Sequence, residues 1–115
     1  EGGDIEIWGD GEQTRSFLYI DECIEGSIRL MRSNFEGPVN IGSDEMVTIN
    51  ALVAMVKNIS KKSCATVHIN GPQGVRGRNS DNDLIQKELG WRPVKTLEEG
   101  LSTTYTWIKA QIEKA

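Results

Sequence analysis

Apolar and polar residues follow two different periods along this chain, which together predict a mixture of strands and helices. Residues 5–8 alternate as in a half-buried strand, and the glycines of segment 9–11 follow as a turn signal. We interpret this segment as a hairpin turn with positive φ at its glycines, because β-type residues resume at 15–19. Short apolar runs at 39–41 and 67–69 predict two further strands, the first of them buried.

A spacing of 3.6 residues between apolar side chains predicts four helices. The first covers 21–33 with Asp21 as its N-cap, and the second follows Thr48 as its cap. A short third helix ends at Gly90, and the fourth opens with the capping box 96–99. We expect the apolar residues of these helices to face the core, among them Ile24, Ile28, Met31, Leu52, Val56, Leu84, Ile85, Leu89, Leu97, Leu101, Ile108 and Ile112. Intermingled strands and helices predict the α/β class.

Composition narrows the class of protein. A chain of 115 residues is about the size of one domain, and 37% hydrophobic with 26% charged residues is typical of a globular protein. No apolar run approaches the roughly 20 residues of a membrane helix, and the first residues lack the layout of a signal peptide. The net charge of −4 argues against a general nucleic-acid surface. We therefore expect a cytoplasmic protein without a nucleic-acid or membrane partner.

The residue types that most often carry catalysis or bind metals are sparse. Cys23 and Cys64 have no metal-site spacing and are expected to be reduced, and His68 has no second ligand beside it. The G-x-G-x-x-G dinucleotide turn and the G-x-x-x-x-G-K-[ST] phosphate loop are both absent from the sequence. We predict neither a metal site nor a catalytic residue in this chain.

Arginines beside glycines are the strongest sign of binding chemistry. Segment 70–82 contains three glycines, one proline and two arginines, and a loop this long is usually mobile or functional. Arg76 and Arg78 flank Gly77, and Arg15 lies between a glycine-rich turn and a strand. Guanidinium groups suit phosphate because their planar fork donates two parallel hydrogen bonds. Phosphate binding is one reading of the three arginines, and solvated surface arginines paired with carboxylates are the other.

Several motifs in register resemble a known family. Residues 8–22 read WGDGEQTRSFLYIDE and resemble the GDG-x-Q-x-R-[DS]-F-x-[YF]-[VI]-D-[DE] segment of extended short-chain dehydrogenase/reductase enzymes that act on nucleotide sugars. Residues 40–43 resemble the N-[IL]-G strand end of that family, and 89–93 resemble its LGW-x-P signature. The stretches 39–47 and 71–82 are similar to the branch that epimerises GDP-mannose.

The resemblance implies a fold and a substrate. It implies the C-terminal, substrate-side lobe of a Rossmann-type enzyme as a single unit, with 39–41 as the last strand of the nucleotide-binding sheet. Substrate-binding residues would be Gln13, Thr14 and Arg15 along the nucleotide sugar, Arg78 on its diphosphate, and Arg76.

The family's reaction places the chemistry elsewhere. Such enzymes use tightly held NAD to oxidise the sugar at C4, invert C3 and C5 with acid/base residues, and then return the hydride. The NAD-binding half and the catalytic residues match no segment of these 115 residues. We therefore expect a chain that binds GDP-mannose or a related nucleotide sugar but is inactive alone, from an NAD-dependent homodimeric epimerase.

Two alternatives stay open from the sequence. The parent enzyme could be a nucleotide-sugar 4,6-dehydratase or decarboxylase, which shares the same family motifs. The chain could also be a stand-alone anion-binding or regulatory module that lacks a dehydrogenase half.

Overall fold

Four helices and four short strands make up the computed structural model, which describes residues 3–72 and 74–114. In chain order the elements are β1 (Asp4–Trp8), β2 (Thr14–Ser16), α1 (Ile20–Met31), β3 (Met46–Thr48), α2 (Ile49–Ser60), β4 (Ala65–Ile69), α3 (Asp83–Leu89) and α4 (Leu97–Lys114). This mixture confirms the predicted α/β class.

The strands form two separate two-stranded sheets within the described residues. β1 and β4 are parallel with Asp4 opposite Ala65, whereas β2 and β3 are antiparallel with Arg15 opposite Val47. The turn at 9–11 therefore leads from one sheet to the other, and the hairpin prediction was wrong. Its glycines do have positive φ, at 80° and 74°, as the turn signal predicted.

The predicted strand at 39–41 was also wrong. These residues have no regular secondary structure, and Asn40 is exposed. A strand needs a neighbour for its backbone N–H and C=O groups, and no described strand lies beside this segment. Segment 46–48, which the apolar pattern did not single out, forms β3 because β2 supplies that neighbour.

Helix caps confirm two of the sequence predictions and correct a third. The Thr48 Oγ1 accepts a 3.0 Å hydrogen bond from the Ala51 N–H at the start of α2. In the capping box of α4, the Glu99 N–H donates to Thr96 Oγ1 and the Thr96 N–H donates to the Glu99 carboxylate. The N-cap of α1 is Tyr19, without a side-chain bond, and Asp21 lies in the first turn. A carboxylate there still faces the positive end of the helix dipole.

The core is small and is contributed by β1, by α3 with the residues after it, and by the start of α4. Its buried apolar side chains are Ile7, Ile85, Trp91 and Leu97. Gly90 ends α3 in the left-handed conformation with φ 61°, as predicted. Helix α1 approaches the core through Gly26, where a Cβ would lie 3.0 Å from the Trp91 ring.

Several apolar residues predicted to face the core are exposed instead. The stripe on α1 is the clearest case, since Ile24 is 50% and Met31 79% exposed. The other exposed members are Ile28, Leu84, Ile108 and Ile112. The predicted helical periodicity is correct, but the packing of the described residues leaves these side chains exposed.

Within the described residues, no helix combines the length and apolarity required to span a membrane.

Candidate functional site

A cavity of about 350 Å³ brings Arg15 and Arg78 together. Its remaining lining comes from the end of β2, from the segment after residue 39 and from the loop before α3: Ser16, Leu18, Asn40, Ile41, Gly42, Ser43, Asn79 and Ser80. Two arginines, two asparagines and the hydroxyls of Ser16 and Ser43 supply hydrogen-bond donors among these lining residues. Such a lining suits an anion with several oxygens.

A larger cavity, of about 690 Å³, lies on the other side of the same loop and is lined partly by Asp44, Asp81 and Asp83. Its one arginine is Arg92. Three carboxylates around one opening repel an anion, so the smaller cavity is the better candidate for phosphate despite its size.

Arg15 is positioned by the strand that carries it. It lies on β2 opposite Val47, and its Nη1 donates a 2.6 Å hydrogen bond to the carbonyl oxygen of Thr14. The side chain is half-buried. The guanidinium therefore has a defined place at the edge of the cavity.

Arg78 is positioned through its backbone. The Thr14 N–H donates to the carbonyl of Arg76 at 2.9 Å, and the Arg78 N–H donates to the Thr14 carbonyl at 3.3 Å, which gives an isolated parallel bridge between Thr14 and Gly77. The Arg78 side chain makes no hydrogen bond or ion pair with any residue in the described ranges. A fixed backbone with an uncommitted, exposed guanidinium suits contact with an added ligand.

Hydrogen bonds join two of the loops that line the cavity. The Asn82 side chain donates a 2.7 Å hydrogen bond to the carbonyl of Gly42 and accepts one of 2.6 Å from Ser80. Sequence reasoning recognised the 40–43 motif only as a strand end, and so missed Asn40, Ser43 and Ser80 as cavity residues. Gly42 in that motif could have indicated them, because a glycine often marks a place where the backbone approaches other atoms closely.

Gln13 and Thr14 lie beside the cavity rather than in its lining. Gln13 is buried at 6% exposure, and its Nε2 donates a 3.4 Å hydrogen bond to the Trp8 carbonyl. Its Oε1 is buried and has no hydrogen-bond partner among the described residues. Thr14 contributes its backbone groups to the bridge with Gly77. Gln73, part of the predicted binding loop, lies outside the described residues.

Arg76 points to a different partner. Its Nη1 and Nη2 bind the two carboxylate oxygens of Asp10 at 2.9 and 3.0 Å. Hydrogen bonding to Arg76 lowers the pKa of Asp10 to about 2, and the same pair raises the pKa of Arg76. Arg76 is absent from the cavity lining, so the reading of a surface arginine paired with a carboxylate describes Arg76 better than Arg78.

The cysteines and the histidine form no reactive cluster. Cys23 and Cys64 are free and half-buried, as expected. His68 is exposed on β4, and its Nε2 lies 2.9 Å from the Oδ1 of Asn50. No group of three potential metal ligands occurs among the described residues.

Comparison with known proteins relates the chain to one family. A sequence model of the NAD dependent epimerase/dehydratase family matches residues 1–42. Over 110 residues, or 96% of this chain, the sequence is 61% identical to GDP-mannose 3,5-epimerase of Arabidopsis thaliana, of which it covers 29%. Over 114 residues, or 98% of the chain, it is 32% identical to UDP-glucuronic acid decarboxylase 1 of Danio rerio, of which it covers 27%.

A solved structure agrees with these sequence matches. The fold matches UDP-glucose 4-epimerase of Thermotoga maritima, determined with UDP-glucose, at a TM-score of 0.91 and 29% identity. The match covers 96% of this chain and 36% of that structure. The chain is thus an α/β segment similar in sequence and in fold to nucleotide-sugar epimerases and decarboxylases, and part of it matches the NAD dependent epimerase/dehydratase family. Within that family its sequence resembles GDP-mannose 3,5-epimerase, and it spans less than a third of the length of the curated relatives it matches.

Proposed function

We propose that these 115 residues are the substrate-binding part of an NAD-dependent epimerase that converts GDP-D-mannose to GDP-L-galactose, and that the Arg15–Arg78 cavity receives the diphosphate. The single observation that carries this proposal is that Arg15 and Arg78 line one cavity. The 61% identity to GDP-mannose 3,5-epimerase supports the choice of substrate.

The chemistry of the lining supports a diphosphate in particular. Hydrogen bonds between guanidinium and phosphate are charge-assisted and about twice as strong as neutral ones. Arg15 is held on a strand and Arg78 on a backbone bridge, so two such groups can address neighbouring phosphate oxygens without large rearrangement. The Ser43 hydroxyl provides a further donor at the same cavity, whereas the Ser80 hydroxyl donates its proton to Asn82.

The residues described here do not fit NAD. The glycines with positive φ in the described ranges are at 9, 11, 74 and 90, and none belongs to a G-x-G-x-x-G turn between a strand and a helix. We propose that other residues of the complete protein hold NAD and carry out the inversion at C3 and C5. The residues of this chain bind and orient the nucleotide sugar, in a protein that works as a cytoplasmic homodimer.

Calorimetric titration of the complete protein with GDP-mannose tests the binding proposal. Replacing Arg78 with Ala should cost about 1.5–3 kcal/mol of binding free energy, because it removes charge-assisted hydrogen bonds. Arg29→Ala is the matched control, since Arg29 is an exposed arginine on α1 paired with Glu25. Equal affinity of the Arg78→Ala variant and the natural protein would reject the proposed site.

An activity assay tests whether these residues only bind the nucleotide sugar or also carry out catalysis. The 115 residues alone, supplied with NAD and GDP-mannose, should form no product sugar. Product above background would show that these residues carry catalytic groups of their own.

A decarboxylase is the second candidate, favoured by the 32% identity to UDP-glucuronic acid decarboxylase 1. A decarboxylase of this kind acts on a uridine nucleotide, so this candidate predicts a preference for uridine over guanosine nucleotides. Tighter binding of UDP-glucuronic acid than of GDP-mannose would favour this candidate.

A further inference from the structure

A bidentate ion pair joins the turn at 9–11 to the arginine-bearing loop. The Asp10 carboxylate binds both terminal nitrogens of Arg76, and its Oδ1 also accepts a 2.9 Å hydrogen bond from the Glu12 N–H. Neither Asp10 nor Arg76 lines the cavity. The pair is thus available for a role other than direct ligand contact.

The turn that carries Asp10 is itself anchored to α2. The Asn50 N–H donates to the Gly11 carbonyl at 2.9 Å, and the Asn50 side chain donates to the Asp10 carbonyl at 3.0 Å and to the Glu12 carboxylate at 2.6 Å. A Cβ on Gly11 would collide with Asn50 Oδ1 at 2.0 Å, so the turn packs tightly on the helix. These contacts with α2 fix the position of Asp10.

The loop that carries Arg78 has few attachments of its own. Residues 74–79 are exposed and belong to no helix or named strand. Among the described residues, their backbone meets the rest of the molecule through the two bonds to Thr14, and Arg76 is the residue that accepts the first of them. Because Arg78 lies two residues further on, holding Arg76 also limits where Arg78 can lie.

We propose that Asp10 and Arg76 are a positioning pair that holds the loop so that Arg78 faces the cavity opposite Arg15. This inference rests on the proposed function, in which Arg78 contacts the diphosphate. It assigns Arg76 an indirect role in place of the direct substrate contact implied by the resemblance.

A double-mutant cycle in the complete protein tests the pair, with GDP as the calorimetric probe. Asp10→Asn and Arg76→Gln should each weaken GDP binding about three- to fivefold, the upper part of the range expected for an exposed ion pair. The double variant should lose no more than either single variant, because both substitutions remove the same interaction. Glu25→Gln, in the exposed Glu25–Arg29 pair, should leave GDP binding unchanged. Natural affinity in the single variants, or losses that multiply, would overturn the proposal.

Two further readouts separate positioning from general damage and from failure of the proposed site. In steady-state kinetics the variants should raise KM for the nucleotide sugar while kcat stays within about twofold. A fall in kcat with unchanged KM would contradict positioning. Amide hydrogen exchange without ligand should accelerate at Thr14 and Arg78 in both single variants, and unchanged exchange would overturn the proposal even where the binding site itself proves correct. If Arg78→Ala leaves GDP affinity unchanged, the proposed binding site fails whatever the exchange result.

Discussion

Gly77 lies so close to Thr14 that a Cβ on the glycine would be 2.9 Å from the threonine Oγ1. Real Cβ atoms do not approach other atoms this closely, so an added side chain must displace the Thr14 hydroxyl or one of the two backbone segments. The contact lies at the bridge between β2 and the arginine loop. We therefore expect a side chain at residue 77 to disturb the bridge that positions Arg78.

Gly77→Ala should weaken GDP binding by the complete protein about tenfold, as expected if the charge-assisted contact of Arg78 is misaligned. Gly3→Ala is the control, because a Cβ at Gly3 meets no atom within 4 Å. Calorimetry of both variants measures the difference. Natural affinity in Gly77→Ala would show that the loop adjusts without moving the guanidinium.

The pH dependence of the Asp10–Arg76 pair follows from the pKa of Asp10, which the arginine lowers from 3.8 to about 2. A lowered pKa in the folded state means that the pair stabilises the fold fully above the unfolded value of 3.8. This contribution is lost as the pH falls through 2. NMR titration of the Asp10 carboxyl carbon should give a midpoint near 2, and Arg76→Gln should move it back toward 3.8. A midpoint near 3.8 in the natural protein would contradict the ion pair in solution.

The Glu22 carboxylate should be a main support of the fold near the core. It is buried at 8% exposure and accepts backbone N–H bonds from Val94 at 2.6 Å and from Lys95 at 3.1 Å. Glu22→Ala removes the buried, charged acceptor of both N–H groups and should destabilise the complete protein by about 1.5–3 kcal/mol in denaturant unfolding. Glu25→Ala, on the exposed face of the same helix, should change stability far less. Equal effects of the two substitutions would show that burial of Glu22 has little energetic consequence.

The sequence predicted best where the deciding interaction is local. Both side-chain caps, at Thr48 and at Thr96 with Glu99, depend on residues three positions apart and were found where expected. The strand at 39–41 failed because a strand depends on a distant neighbour, and the apolar pattern does not report whether one is present. The stripe of α1 failed for the same reason, because periodicity identifies an apolar face without identifying what covers it.

In the candidate site, too, the local features could be predicted from the sequence and the contacts between distant residues could not. Glycine-flanked arginines could be singled out from composition and spacing, and the structure places Arg15 and Arg78 at one cavity. Spacing could not distinguish Arg78 from Arg76, two residues away, because the difference comes from Asp10, which is 66 residues from Arg76 in sequence. Their roles as binding residues remain predictions for the titrations above.

The approach of Gly42 to Ser80 offers a test that includes its own rescue. A Cβ on Gly42 would lie 2.6 Å from the Ser80 Cβ and 2.7 Å from its Oγ. Gly42→Ala should therefore push the Ser80 loop away from its place in the cavity wall and weaken GDP binding by about three- to tenfold, an effect of the size of one hydrogen bond. Ser80→Gly removes both obstructing atoms. The Gly42→Ala/Ser80→Gly double variant should bind GDP as well as the Ser80→Gly single variant does, because the collision no longer exists. If the double variant binds GDP more weakly than Ser80→Gly alone, Gly42 is required for a reason other than the space that Ser80 occupies.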